Sequence, residues 1–182
     1  MKALRSAAYP SIQVIHAVAP RHFASRLQPR FRQPVEEPRQ GPRLADANGV
    51  AHQDLLAARL YPDMLPLTGQ VQRASDSARF VAVRVAGTEP KPMADDEKTF
   101  DDLQARIAAT RAYIDGVPAS AFEGKEAKEV VLKFGGREVP FTAESYILTF
   151  ALPNFFFHAA TAYGIMRHKG VPLGKIDFLT GG

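Results

Sequence analysis

Cysteine is absent from all 182 residues. That absence excludes a disulfide framework, a thiolate zinc site and a cysteine nucleophile together. It fits a reducing compartment, and the expectation is a cytoplasmic protein. An apolar run fit to span a membrane is also missing. The most apolar stretch, residues 147–166, contains Pro153, Asn154 and His158, groups that are costly in lipid. It reads as a buried helix, and no membrane partner is expected. Ser11 to Ala19 is too short and too interrupted by polar residues for a secretory signal, and no clear small-residue cleavage site follows it. No acidic residue precedes Glu36.

What is present is ordinary for a globular chain: 46% hydrophobic and 23% charged residues, enough for a sizeable core without a covalent staple. The net charge of +4 is unevenly placed. Residues 1–45 carry Lys2, Arg5, Arg21, Arg26, Arg30, Arg32, Arg39 and Arg43 against Glu36 and Glu37. The remainder is therefore slightly acidic, so no basic face for nucleic acid is expected.

The same segment holds Pro10, Pro20, Pro29, Pro34, Pro38 and Pro42. Each proline removes a donor and clashes with the preceding turn, which forbids a long helix. Residues 1–48 read as a basic, proline-rich arm, disordered or foreign to the fold, and residues 49–182 as one helical domain. Three accounts of the arm stand open: a flexible tail, an organelle-targeting presequence, and an incorrect start or shifted reading frame.

Helical order is expected from about Gln53 to Leu60, stopping before Pro62. A longer helix is expected from Asp63, placed to cap it, to Gly87. Its stripe is Leu67, Val71, Ala74, Ala78, Val81 and Val85, at spacings of three or four. Thr99 opens the next helix, with Asp101 and Asp102 in its first turn and Leu103, Ile107, Thr110 and Ile114 as its buried stripe. Val130, Leu132 and Phe134 then alternate with polar neighbours. Gly135-Gly136 supplies a turn, and Val139 and Phe141 alternate again, which predicts a two-stranded hairpin. The last helix is expected from about Ala143 to His168, kinked at Pro153 and stopped at Gly170. Its broad face comprises Ile147, Phe150, Asn154, Phe157, His158, Thr161 and Ile165. Phe155, Phe156 and Phe157 are expected in the core, and Val171 to Gly182 extended or coiled.

Three ordered blocks carry a family pattern. The first is Arg59-Leu60-Tyr61-Pro62-Asp63-Met64 leading to Gln70-Val71-Gln72. The second is Asp95-Asp96-Glu97-Lys98-Thr99-Phe100 with Leu103-Gln104-Ala105-Arg106. The third is Leu152-Pro153-Asn154-Phe155-Phe156-Phe157-His158 with Thr161-Ala162-Tyr163, then Gly170-Val171-Pro172-Leu173-Gly174-Lys175-Ile176-Asp177-Phe178-Leu179. Over about residues 50–179 the chain resembles the family called domain of unknown function nineteen ninety-three, in the DinB-like superfamily. The resemblance implies an all-α four-helix bundle, here with a small β-hairpin before the last helix. It also implies a long amphipathic first helix, which residues 1–45 do not supply. The first helix is thus degraded or missing, and the apolar face left open makes a homodimer an expected partner.

DinB-like relatives often hold a divalent metal with three histidines, two of them four apart on one helix. Here that spacing falls on Asn154 and His158, and an amide oxygen is a poor ligand for ions that prefer imidazole. Asp63 is the candidate third member. Asp63, Asn154 and His158 are therefore expected to line a polar, ligand-binding cluster, with neither metal nor cofactor. The plainer account is that Asn154 repairs the backbone at Pro153 and His158 is a hydrogen-bonded core histidine. No serine sits on a strand-to-helix elbow, neither Gly-Gly pair has phosphate-loop spacing, and Asp95-Asp96-Glu97 lacks calcium-loop spacing. No motif commits the chain to a reaction. The function expected is a non-catalytic module that binds a small apolar ligand or a second copy of itself; the alternative is a metal-dependent transferase or hydrolase.

Overall fold

The computed structural model describes residues 51–180. The expectations placed on the basic arm, up to residue 48, lie outside this range. The described chain is mainly helical with one small antiparallel hairpin. Among the described residues no helix is long and apolar enough to cross a membrane.

Helix α1 (His52–Ala57) buries Leu55 and Leu56. The chain then turns, and the Leu67 amide donates to Ala58 O at 2.9 Å. Helix α2 (Leu67–Val81) starts four residues after Asp63, with Pro66 extended at its N-cap. Asp63 is thus not the cap. The residue before a proline is biased away from helical angles, and Pro66 has no donor to leave unpaired, so the helix opens just after it. Leu67, Val71, Ala74 and Ala78 are buried as their spacing predicts. The helix continues as a π-helical segment, Ala82–Ala86, which buries Ala82 and Val85 and leaves Val81 half-buried. Gly87, at φ 80°, ends it.

Helix α3 (Phe100–Asp115) begins with a full capping box: the Asp102 amide donates to the Thr99 hydroxyl at 3.1 Å, and the Thr99 amide donates to the Asp102 carboxylate at 2.9 Å. Strands β1 (Glu129–Phe134) and β2 (Arg137–Thr142) pair antiparallel, Val131 opposite Pro140 and Leu132 opposite Val139. The turn needs positive φ at both central residues, and Gly135 and Gly136 have 53° and 81°. Val130 and Leu132 bury one face of the hairpin against Val85, Ala143, Tyr146 and Ala151. This supplies the support that an isolated hairpin lacks.

The last long helical segment is three pieces: α4 (Ala143–Ser145), a π-helical segment (Tyr146–Ala151) and α5 (Leu152–His168). The π segment ends just before Pro153, at the first turn of α5, where a missing donor costs least. It also resets the helical phase. Tyr146 and Ala151, five apart, are both buried, and the face continues through Phe155, Ala159, Ala162 and Met166. The face expected from unbroken α-helical spacing is therefore displaced in part: Thr161 and Ile165 are buried as expected, but Phe157 is 56% exposed and Phe156 42% exposed, while Phe155 is 1% exposed. Only Phe155 of the three consecutive phenylalanines belongs to the core. The tail also departs from expectation, since residues Lys175–Thr180 form a short helix, α6. The Asp177 carboxylate accepts from the Gly174 amide at 2.6 Å and so holds its first turn.

Helix α2 is central. It packs along α5, against α3 and against α1. The main core lies among α1, α2, α3 and α5, with Val171 and Leu173 closing it.

Candidate functional site

The seam between α2 and α5 carries polar side chains beside the apolar contact. Gln70, on the buried side of α2, is 1% exposed. Its Nε2 donates to Leu65 O at 2.9 Å, and its Oε1 lies 2.8 Å from His158 Nδ1. A carbonyl oxygen only accepts, so Leu65 O fixes which end of the Gln70 amide faces α5. The Oε1 end also only accepts, so Nδ1 of His158 carries the proton and Nε2 holds the lone pair. Burial pushes the His158 imidazole below its ordinary value, and the positive charge of Arg73 pushes it further the same way.

Asn154, one turn before His158, donates from Nδ2 to Ser77 Oγ at 2.7 Å, and Ser77 Oγ donates to Arg73 O at 2.7 Å. Its amide nitrogen thus ties α5 to α2. Asp63 lies exposed in the turn before α2. Asn154 and His158 bond instead to Ser77 and Gln70 on α2, and neither is hydrogen-bonded to Asp63.

A second polar cluster lies on the other flank of α2. Arg106 of α3, with its side chain 2% exposed, pairs with Asp76 at 3.0 Å, Asp95 at 3.0 Å and Glu97 at 2.7 Å. Arg79 pairs with Asp76 and donates to Lys91 O; Arg73 pairs with Asp95 and, at 3.2 Å, with Asp76. Gln72 Nε2 donates to Glu97 at 2.7 Å. Three guanidinium groups thus meet three carboxylates, and the segment from Lys91 to Glu97 is fastened to α2 and α3. Burial would raise the Glu97 carboxyl, but the hydrogen bonds from Arg106 and Gln72 and the Arg106 charge together hold it below the usual range.

A family model described as a domain of unknown function, DUF1993, matches residues 39–179. The chain belongs to the DUF1993 family. The match starts upstream of residue 49. Among solved structures, this DUF1993 chain is similar to a DinB family member protein from Shewanella denitrificans, with 30% sequence identity and a TM-score of 0.67. That similarity covers 93% of this chain and 86% of the other. No curated protein matches.

The divalent metal that a DinB-like fold implies does not fit the donor set that the described residues of this DUF1993 chain offer at the seam. Among the described residues no three His, Asp or Glu side chains lie together so as to hold an ion. His158 is the only imidazole in the seam's bonded set, Asn154 turns its amide nitrogen to Ser77, and the Arg73 charge acts on the ring. A guanidinium beside a lone imidazole repels a divalent cation.

Sequence reasoning on the DUF1993 chain missed Gln70, Arg73 and Ser77, and it missed the Arg106 cluster. Signals existed for both. Gln70, Arg73 and Ser77 follow at intervals of three and four, so they share one edge of α2. Arg106 lies between Leu103 and Thr110 on a buried stripe, where a charge persists only if it is paired.

Proposed function

We propose that this DUF1993 protein is a non-catalytic, cytoplasmic helical module, a DinB-like four-helix bundle that binds a small ligand at the α2–α5 seam around His158. The observation that carries this reading is one ring nitrogen. The polar groups bonded in the seam, Gln70, Ser77, Asn154 and His158 Nδ1, are engaged with one another or with backbone, while among the described residues Nε2 of His158 has no bonded partner. A small site built on an apolar helix pair needs few polar groups to orient a ligand. Asp63, in the turn leading into α2, is assigned to the rim of this site; Asn154 and His158 form its floor.

His158→Ala should lower folding stability by about 1–3 kcal/mol, because it orphans the buried Gln70 carbonyl. It should also change the pH dependence. The native imidazole sits below its ordinary value of 6.5, so the unfolded chain takes up its proton first. The contribution of His158 is present above that ordinary value and is lost as pH falls through the lower native one. Urea unfolding across this window should show a shallower decline for the variant than for the wild type. Parallel curves would refute the neutral-imidazole assignment.

Self-association is a second reading, favoured by the exposed apolar side chains Leu148, Phe156, Phe157, Ile176 and Leu179. Light scattering on concentrated protein should then report a homodimer, and Phe157→Asp should return it to monomer. A clean monomer at every concentration would remove this reading without touching the seam.

A further inference from the structure

We propose that the segment from Thr88 to Lys98 is a strap closed over an anion site, its Asp95 and Glu97 seated where a small phosphate-bearing molecule of two negative charges would bind Arg73, Arg79 and Arg106. The inference is independent of the α2–α5 seam.

The strap is held by charge rather than by burial. It runs without helix or strand from Gly87, which ends the π-helical segment, to the Thr99 cap of α3. Thr88, Met93 and Glu97 are half-buried and the rest of it is exposed. The guanidinium groups fasten its middle at Lys91 O, Ala94 O, Asp95 and Glu97, and Gln72 adds a bond to Glu97. A segment that buries little apolar surface is among the first to open locally.

The charges match those of a dianion. On the wall beneath the strap three arginines face Asp76, which leaves two positive charges. The strap carries Glu89, Asp95, Asp96 and Glu97 against Lys91 and Lys98, two negative charges net. The hydrogen bonds do not match. The strap engages only terminal guanidinium nitrogens. Among the described residues, Nε of Arg79 and Nε of Arg106 are buried with no bonded partner, on side chains that are 7% and 2% exposed. A buried N–H without an acceptor is costly, and these two call for acceptors that the strap does not supply. A phosphate group brings three acceptor oxygens and suits the planar guanidinium edge. The strap thus replaces such a ligand in charge and incompletely in bonding.

The test uses the full chain with inorganic phosphate as the probe and sodium chloride at matched ionic strength as the control. The chain has no cysteine, so Asp96→Cys places a single nitroxide spin label on an exposed residue of the strap. Phosphate should mobilise the label in a saturable way, and chloride should not. By calorimetry, Asp95→Asn combined with Glu97→Gln should bind phosphate about tenfold more tightly than the wild type, because a strap open in about a tenth of the molecules weakens apparent affinity by that fraction. If the double variant does not fold, the labelled chain with both carboxylates intact decides alone. A label that stays immobile at high phosphate would overturn the inference. So would an equal response to chloride, the mark of a screened ion-pair cluster and nothing more, or a folded double variant that binds phosphate no better than the wild type.

Discussion

Arg106→Met should lower folding stability by about 3–5 kcal/mol, the cost of breaking a buried ion pair from one side. The guanidinium is 2% exposed and lies between Asp76 and Glu97, whose side chains are 13% and 8% exposed. Removing it leaves the Glu97 carboxylate desolvated without a cationic partner, while Asp76 keeps Arg73 and Arg79. It also frees Ala94 O, which accepts from Arg106 at 3.1 Å, and loosens the chain before α3. The pH dependence should change with it. Glu97 titrates below its ordinary value of 4.5 in the native protein. Its contribution is therefore present above that value and is lost as pH falls through the native one. In Arg106→Met this acid-side loss should disappear, because the interaction that lowers the carboxyl is gone. Urea midpoints at neutral and acid pH measure both effects. A loss under about 1 kcal/mol would mean that the cluster is solvated and dispensable. Replacing Glu97 and Arg106 together by apolar residues of similar volume, with Asp76 left paired to Arg73 and Arg79, should recover part of the loss, since the penalty lies in unpaired charge.

Phe155→Ala and Phe157→Ala should separate by several kcal/mol. Phe155 is 1% exposed in the main core, and truncating a buried phenylalanine costs about 3–5 kcal/mol through lost transfer energy and the cavity left behind. Phe157 is 56% exposed, and its removal should stay within about 0.5 kcal/mol when measured at low protein concentration. The two residues differ only in helical phase, so the contrast tests the π segment that sets it. Equal losses would mean that Tyr146–Ala151 is ordinary α-helix and that both rings pack inward.

The phase of α5 shows where reading the chain reached its limit. Apolar spacing predicts a long helix from Ala143 to His168, and one continuous helical run is present. Carrying a 3.6-residue period across Tyr146–Ala151 points Phe157 inward, however. One π-helical turn places residues five apart on the same face, so the buried face shifts to Phe155 and Ala159, while Thr161 and Ile165 of the expected face stay buried. Nothing local announces that turn except Pro153, which favours a break without stating its kind. In α2 the stripe from Leu67 to Ala78 was legible because no irregularity precedes it, and only Val81, at the junction with the π segment, moves off the face.

The polar seam between α2 and α5 was legible in part. The i, i+4 pair Asn154 and His158 was visible on its own helix, because short-range spacing fixes which side chains share a face. Their partners were not, since Gln70 and Ser77 lie 88 and 77 residues away in the chain and only packing of α5 on α2 brings them together. Asp63 was misassigned as a helix cap for a local reason: Pro66 moves the helix start downstream.

Residue types and their spacing alone determined the local structure of this protein. The capping box at Thr99, the Gly135-Gly136 hairpin, the stop at Gly170 and the family pattern in residues 50–179 all depend on neighbours a few positions apart. Only the tertiary structure decided the phase of α5, the tautomer of His158 and the pairing of Arg106. Those depend on groups distant in sequence, where the burial of one polar atom is tolerated because a partner from another helix satisfies it.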